Sequence, residues 1–240
     1  MEQNINLEEA LENARFLLEH SRLVEAEKKT EEILTFFPKN GQALYIKAVC
    51  QRYLNRLEDA LKTLRALKEI RPGYGRAFQE EGHVCMAAGF MSQALFAYRH
   101  AVKLNNSLIA SWAALTKIHT KQGNLDNAKI TQFEYEKLKA LPAELLSVRN
   151  MIAEGHTYMA EQLCRKFLLK NKKHVEGMRL LASLGVAADV LDDAEFLLEK
   201  ALEYEPHNTF TRHDYMVVLY RRQKYKQSLE QAKLLKNKEP

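Results

Sequence analysis

The stretch that decides the fold is GRAFQEEGHVCMAAGFMSQALFAYRHAVKLNNSL, residues 75–108, which is 34 residues long. It holds Gly82, then Ala94 twelve residues later, then Tyr98 four residues after that. Small residues let two helices approach closely, and Gly89 between them suits a left-handed turn at a helix end. The stretch therefore predicts two antiparallel helices joined by a tight turn.

The same pattern returns along the whole chain. Small residues recur at intervals of 34, 34, 34, 32, 34 and 34, at Ala26, Ala60, Ala94, Ala128, Ala160, Ala194 and Ser228. Turn-forming residues stand five positions earlier at Asn55, Gly89, Gly123, Gly155 and Asp189, and prolines twelve positions later at Pro38, Pro72, Pro206 and Pro240. A fixed period of this length is typical of a solenoid. We predict an all-α, right-handed superhelical solenoid of seven antiparallel helix pairs, at 7–40, 41–74, 75–108, 109–140, 141–174, 175–208 and 209–240.

These repeats resemble tetratricopeptide repeats, and the resemblance implies a scaffold that binds a protein or peptide. Three positions depart from the pattern, since Val148 and Met216 replace the early small residue and Gln132 replaces an apolar one. Looser packing is expected there. The interval that is two residues short falls near 135–145, so we predict four repeats in 1–140 (the first from about residue 7) and three in 141–240, continuous after a phase slip.

Composition excludes several classes of protein. With 46% apolar and 28% charged residues, the chain is not of the disordered kind, and 9 Gly and 5 Pro are too few for an all-β fold. The net charge of +5 is mild, so nucleic-acid binding is not expected. Cys50, Cys85 and Cys164 form no CxxC motif, which favours small buried residues in a reducing compartment. Without an apolar run of membrane-spanning length, we expect a cytoplasmic protein and no membrane partner.

The sequence carries no motif for catalysis, metal binding or phosphate binding, so we expect no enzyme activity and no cofactor in this chain. His83 near Glu80 is expected to make a surface hydrogen bond rather than an acid–base pair. Asp192 and Asp193 precede a predicted helix, where the negative charge of an acidic side chain interacts favourably with the helix dipole. Two basic clusters are expected to be solvated surface, namely Arg165, Lys166, Lys170, Lys172 and Lys173, and Arg221, Arg222, Lys224 and Lys226.

The first helix of each pair is expected to line the concave groove, which is the default binding surface of a solenoid. Its outward-facing candidates are Arg15, Tyr45, Arg52, Arg76, Gln79, His83, Lys117, Arg149, Arg179, His213 and Arg221. Glu12, Glu80, Glu176 and Asp214 are partial counterweights. Two interpretations stay open: a mildly basic groove for a peptide that carries acids, or ordinary solvated charge. The carboxylate-gripping set of chaperone-type repeats is not carried over, because the matching places hold Leu11, Arg15, Tyr45 and Val49.

The two ends of the chain differ in their capping signals. Asn6 followed by Glu9 resembles a capping box. At the other end, Leu229, Ala232 and Leu235 are expected to form an uncovered apolar stripe. Either the chain continues past Pro240, or the stripe is covered by self-association.

The second half carries a narrower resemblance. Its elements are His174-Val175-Glu176 to Leu181-Ala182, Leu191-Asp192-Asp193-Ala194-Glu195, Pro206, and Arg212 to Leu219. These resemble the repeat region of bacterial proteins that join tetratricopeptide repeats to a sulfotransferase domain. That resemblance implies a catalytic domain beyond residue 240 that uses 3′-phosphoadenosine-5′-phosphosulfate. This chain lacks the phosphosulfate-binding loop of that family, so it is not expected to bind the cofactor.

Overall fold

The computed structural model describes residues 6–236. Over this range it contains fourteen α-helices and no strand. The first helices of the seven pairs are α1 (Leu7–Glu19), α3 (Gly41–Tyr53), α5 (Gly75–Ala87), α7 (Ile109–Lys121), α9 (Ala143–Ala153), α11 (Val175–Ala187) and α13 (Thr209–Arg221). The second helices are α2 (Leu23–Phe36), α4 (Leu57–Ile70), α6 (Met91–Leu104), α8 (Leu125–Lys139), α10 (Thr157–Lys170), α12 (Leu191–Tyr204) and α14 (Tyr225–Lys236). The predicted all-α repeat of seven helix pairs is confirmed.

The turn inside each pair is a left-handed residue at the end of the first helix. All five turn residues predicted from the sequence have positive φ, between 60° and 83°, at Asn55, Gly89, Gly123, Gly155 and Asp189. Behind Gly89, the N–H of Phe90 donates to the carbonyl of Cys85 at 2.8 Å, which satisfies a carbonyl at the helix end. Ser21 and Gln223 occupy the same place in the first and last pairs, with φ of 59° and 61°.

The recurring small residues lie where two helices meet. Ala26, Ala60, Ala94, Ala160 and Ala194 are fully buried. Val148, where looser packing was expected, is also fully buried and shares a hydrophobic cluster with Cys164. Val148 and Cys164 thus compensate for each other in size, because a larger residue on the first helix packs against a smaller one on the second. Gly82 and Tyr98 show the reverse arrangement, in which a glycine on the first helix packs against a large residue on the second. Gln132, the third departure from the pattern, is exposed.

Two compact units make up the structure, divided between Ala140 and Leu141. The first unit holds α1–α8 and the second holds α9–α14. Within the first unit, α1, α3, α5 and α7 contact one another in succession, and within the second α9, α11 and α13 do so. Because the second helices of successive pairs make no comparably extensive contact within these described ranges, the first helices form an inner row in each unit. That the two units are continuous as one solenoid stays a prediction.

The two predicted end features differ in outcome. The side chain of Asn6 accepts the N–H of Glu9 at 3.4 Å at the start of α1. In α14, Leu229 is exposed but Ala232 and Leu235 are half-buried, so the expected stripe is only partly uncovered. Pro240, the last proline of the repeat pattern, lies outside the described residues.

Candidate peptide-binding face

The candidate site is the row of first helices in each unit, here called the inner face. All eleven candidate residues lie on first helices. That all of them face one surface stays a prediction, and the structure gives them different partners.

Two inner-face residues of the first unit connect neighbouring helices through neutral partners. A guanidinium nitrogen of Arg15 on α1 donates to the amide oxygen of Gln42 on α3 at 2.6 Å. The hydroxyl of Ser111 on α7 donates to the amide oxygen of Gln79 on α5 at 3.0 Å. These bonds fix the register of adjacent first helices without cancelling the charge of Arg15.

Arg52 is less open than its sequence position suggested. It forms an ion pair with Glu80, whose side chain is only 3% exposed, and its guanidinium lies 4.1 Å from the centre of the Tyr53 ring. Burial raises the pKa of the Glu80 carboxyl, and Arg52 opposes that shift. The pair is part of the packing between α3 and α5, so Arg52 is a constrained cation.

His83 contradicts the expectation of a surface hydrogen bond. Its ring is half-buried, and its Nδ1 lies 2.7 Å from the hydroxyl of Tyr98, a side chain that is buried in the core. Burial, assisted by the charge of Arg52, lowers the pKa of His83 to about 4. His83 is therefore a neutral hydrogen-bonding group at pH 7 and adds no charge to the inner face.

Tyr45 is half-buried and packs edge-on against Tyr74, with the ring centroids 5.8 Å apart. Burial raises the pKa of Tyr45, and the hydrogen bond with Arg76 works against the shift. Tyr74 precedes α5 and is a site neighbour that the sequence analysis missed. The only sequence feature that could have identified Tyr74 is an aromatic residue just before Gly75, and that pattern is common at positions that serve packing alone.

The inner face of the second unit is an alternating chain of charges. Arg149 donates to Glu176 at 2.9 Å, Glu176 also accepts from Arg179 at 2.7 Å, and Arg179 donates to Asp214 at 2.7 and 2.9 Å. This chain crosses α9, α11 and α13. Glu176, predicted as a counterweight, is thus the direct partner of Arg149 and Arg179, and Asp214 is a direct partner of Arg179.

The remaining candidates differ in exposure and pairing. Arg221 donates to Asp189 and to the carbonyl of Val186, both at 3.1 Å. His213 is exposed, with its Nδ1 3.6 Å from a carboxylate oxygen of Asp214. Lys117 is exposed on α7 and makes no ion pair with any residue in 6–236.

The second basic cluster is neutralised on the outer side. Arg222 pairs with Glu195 at 2.5 Å and with Asp192, and Lys224 pairs with Glu195 at 2.7 Å. Asp192 therefore has a partner in addition to its place in the first turn of α12. In the first cluster, Arg165 pairs with Glu161 at 2.8 Å. The expectation of a solvated surface is therefore wrong for Arg222 and Lys224, which are half-buried against Glu195, whereas Arg165 of the first cluster is exposed.

The three cysteines are free and buried, as expected. Burial raises the pKa of Cys50 and of Cys164 to about 11, which keeps both thiols protonated. Among the described side chains, no group of His, Cys, Asp and Glu is arranged to hold a metal ion. No helix within residues 6–236 combines the length and the apolar character needed to cross a membrane.

Solved structures with a similar fold are found at low sequence identity. A chain from the structure of Naa15/Naa10 bound to HypK-THB is 14% identical with a TM-score of 0.51, covering 98% of this chain and 37% of that one. A tetratricopeptide repeat protein from Parabacteroides merdae is 14% identical with a TM-score of 0.48, covering 91% and 86% of the two chains. The thermophilic TPR protein TTC0263 from Thermus thermophilus is 20% identical with a TM-score of 0.41, covering 89% and 99%. This chain thus spans little more than a third of the first of these.

No protein-family model and no curated protein matches the chain. The class rests on the fold: paired helices, a period of 34 residues and a left-handed turn in every pair define a helical repeat of the tetratricopeptide type. The narrower sulfotransferase resemblance of residues 141–240 stays a prediction.

Proposed function

We propose that this chain is a protein-interaction scaffold that binds an extended or helical peptide with acidic residues on the inner face of its first unit. Solenoids expose long inner surfaces that suit such ligands. The inner faces of the two units differ in the charge they leave for a partner, and that difference locates the proposed site.

The observation that carries the proposal is the pairing state of the cations. In the first unit, Arg15 is bonded to a neutral amide, and Lys117 is exposed with no carboxylate partner among the described residues. In the second unit, Arg149, Arg179 and Arg221 are all bound to carboxylates. An acidic ligand would have to break those ion pairs in the second unit, whereas Arg15 and Lys117 in the first unit can be reached without breaking one.

The test measures the binding of a short fluorescent peptide of alternating Glu and Leu, and of its Lys-and-Leu counterpart. The double variant Arg15→Glu, Lys117→Glu is expected to weaken the acidic peptide by about tenfold, since each exposed charge contact contributes up to about 1 kcal/mol. The matched control is Lys28→Glu, Lys103→Glu, which makes the same change in net charge at exposed positions of α2 and α6. Equal losses in both double variants would show a non-specific charge effect and would refute the site.

Three finer expectations are proposals with separate tests. Action in the cytoplasm is supported by three buried free thiols, and thiol accessibility in the purified native protein is its check. Self-association through the exposed Leu229 of α14 predicts concentration-dependent sedimentation that Leu229→Glu abolishes. A role as the recognition region of a sulfotransferase rests on the resemblance alone, and the reading frame beyond the codon for Pro240 decides it.

A further inference from the structure

A solvent-open cleft of about 310 Å³ lies in the second unit, and none of the eleven inner-face candidates lines it. It is bounded by α10 and α12 and floored by the C-terminal half of α11. Leu181, Leu184 and Leu197 supply apolar walls, and Glu161 and Asp193 supply carboxylates. A pocket of this size lies at the lower end of the range for small-molecule sites, which is roughly 300–1,000 Å³, so it suits one or two side chains.

A comparison of repeat interfaces shows what is missing in the cleft. Glu27 on α2 pairs with Arg56, the residue just before α4. In the same register, Glu195 on α12 pairs at 2.7 and 2.9 Å with Lys224, the residue just before α14. At these two interfaces, between the first and second repeats and between the sixth and seventh, a glutamate on one second helix meets a cation at the start of the next.

The interface between the fifth and sixth repeats has the glutamate of this arrangement but not the cation. Glu161 on α10 stands in the register of Glu27 and Glu195, but the residue just before α12 is Val190. Both Glu161 and Val190 line the cleft. The cation that completes the other two interfaces is therefore absent from this one, and an apolar, 45% exposed valine takes its place.

The floor of the cleft departs from its repeat register as well. Gly185 stands where the six other repeats carry a larger side chain, at Leu17, Gln51, Cys85, His119, Met151 and Leu219. A Cβ at Gly185 would meet the carbonyl of Val190 at 3.3 Å and Cβ of Ala194 at 3.7 Å. The absence of a side chain here lets Val190 and Ala194 approach α11 closely, and the backbone of Gly185 itself contributes to the lining of the cleft.

The charges at the cleft favour a cationic ligand. Glu161 is bound to Arg165 by an exposed pair within α10, and such pairs contribute only about 0.3–0.5 kcal/mol. Asp193 is exposed and makes no ion pair among the residues that the structure describes. The cleft thus carries two carboxylates and one guanidinium around an apolar floor. Phe196, 58% exposed at the same rim, adds an aromatic surface.

We infer that this cleft is a second docking site, for a protein segment in which an arginine or lysine adjoins a large apolar residue. The basic group of the partner takes the place that Arg56 and Lys224 fill at the other interfaces, and the apolar residue occupies the space above Gly185. The site is separate from the inner face and prefers the opposite charge, so each can fail without the other.

The test uses the full chain and the probe acetyl-Phe-Arg-methylamide, with acetyl-Phe-citrulline-methylamide as its neutral isostere. Binding is followed by NMR shifts of the Gly185 amide and of the Leu181, Leu184 and Leu197 methyl groups. We expect the arginine probe to bind at least five times more tightly than the citrulline probe. Equal affinity of the two probes, or shifts confined to the inner face, would overturn the inference.

Val190→Lys tests the internal comparison directly. A lysine there is expected to pair with Glu161 as Lys224 pairs with Glu195, and to reduce affinity for the arginine probe at least tenfold. Val24→Lys is the matched control, because it places the same change at an exposed valine of α2. If Val190→Lys does not fold, Asp193→Asn at its exposed position replaces it, with an expected loss of threefold or more. Equal affinity in the variant and its control would show that the cleft does not bind the cation.

Discussion

The inner faces of the two units use the same kind of position in different ways. In the second unit, Arg149, Glu176, Arg179 and Asp214 form one chain of ion pairs across three helices. In the first unit, polar residues of adjacent first helices are joined mainly by neutral hydrogen bonds and one buried ion pair, and Lys117 has no ion-pair partner within residues 6–236. The ion pairs of the second unit tie its helices together, whereas the arrangement in the first unit leaves positive charge for a ligand. A cation on an inner face is therefore a binding candidate only when its neighbour on the next first helix is not a carboxylate.

The largest expected effect concerns the packing beneath the first unit's inner face. A Cβ at Gly82 would lie 2.6–2.8 Å from three atoms of the Tyr98 ring, closer than atoms can approach. We expect Gly82→Ala to lower the free energy of unfolding by about 2–3 kcal/mol, measured by urea denaturation. The corresponding pair in the second unit is Ala182 with Leu198, where the first-helix residue already carries a Cβ.

The control for this prediction is Gly73→Ala, because nothing lies within 4 Å of a Cβ there. Rebuilding the second unit's pair in the first, as Gly82→Ala with Tyr98→Leu, is expected to cost less than the sum of the two single changes. Strict additivity of the two changes in unfolding free energy would mean that residues 82 and 98 do not compensate for each other's volume.

The second prediction uses the neutral His83 of the first unit. Its pKa is about 4 in the folded chain against 6.5 for a free histidine, so the unfolded chain binds the proton more tightly. The stabilisation is complete above pH 6.5 and is lost as the pH falls towards 4, amounting to at most about 3 kcal/mol. Urea unfolding between pH 7 and pH 4 is expected to show a smaller loss of stability in His83→Gln than in the parent.

Tyr98→Phe separates the two causes in that experiment. It removes the hydroxyl 2.7 Å from His83 but keeps the ring that buries it. Because burial is the main cause of the lowered pKa, the pH dependence should persist in this variant. If it disappears, the hydrogen bond and not burial controls His83.

The repeat period predicted the fold, because helix pairing depends on residues that recur at fixed spacing. Asn55, Gly89 and Asp189 were identifiable as turns since these residue types tolerate a left-handed backbone. Ser21 and Gln223 were not, because the same backbone is imposed on them by the neighbouring helices. Candidate positions on first helices could also be predicted. Their pairing could not, since Arg149 and Glu176 are 27 residues apart in sequence and meet only through the packing of α9 and α11.

The third prediction breaks the charge chain of the second unit. Arg179→Met removes the guanidinium that Glu176 and Asp214 share, which leaves Glu176 with Arg149 alone and Asp214 without an arginine. We expect a loss of about 1–2 kcal/mol in the free energy of unfolding, because partly buried ion pairs contribute more to stability than exposed ones. Lys117→Met in the first unit is the matched change and is expected to alter stability by less than about 0.5 kcal/mol. Equal effects would remove the distinction between the two inner faces.

The smallest expected effect compares the turns at Asn55 in the first unit and Gln223 in the second. Both have φ near 60°, but asparagine tolerates that backbone while glutamine pays a steric cost of about 1–2 kcal/mol. Gln223→Gly relieves the cost and adds freedom to the unfolded chain, so we expect a net gain of about 0.5–1 kcal/mol in urea denaturation. Asn55→Gly should change stability by less than about 0.5 kcal/mol. A gain at Asn55 equal to that at Gln223 would mean that residue type does not matter at these turns, and that helix packing alone holds the left-handed backbone.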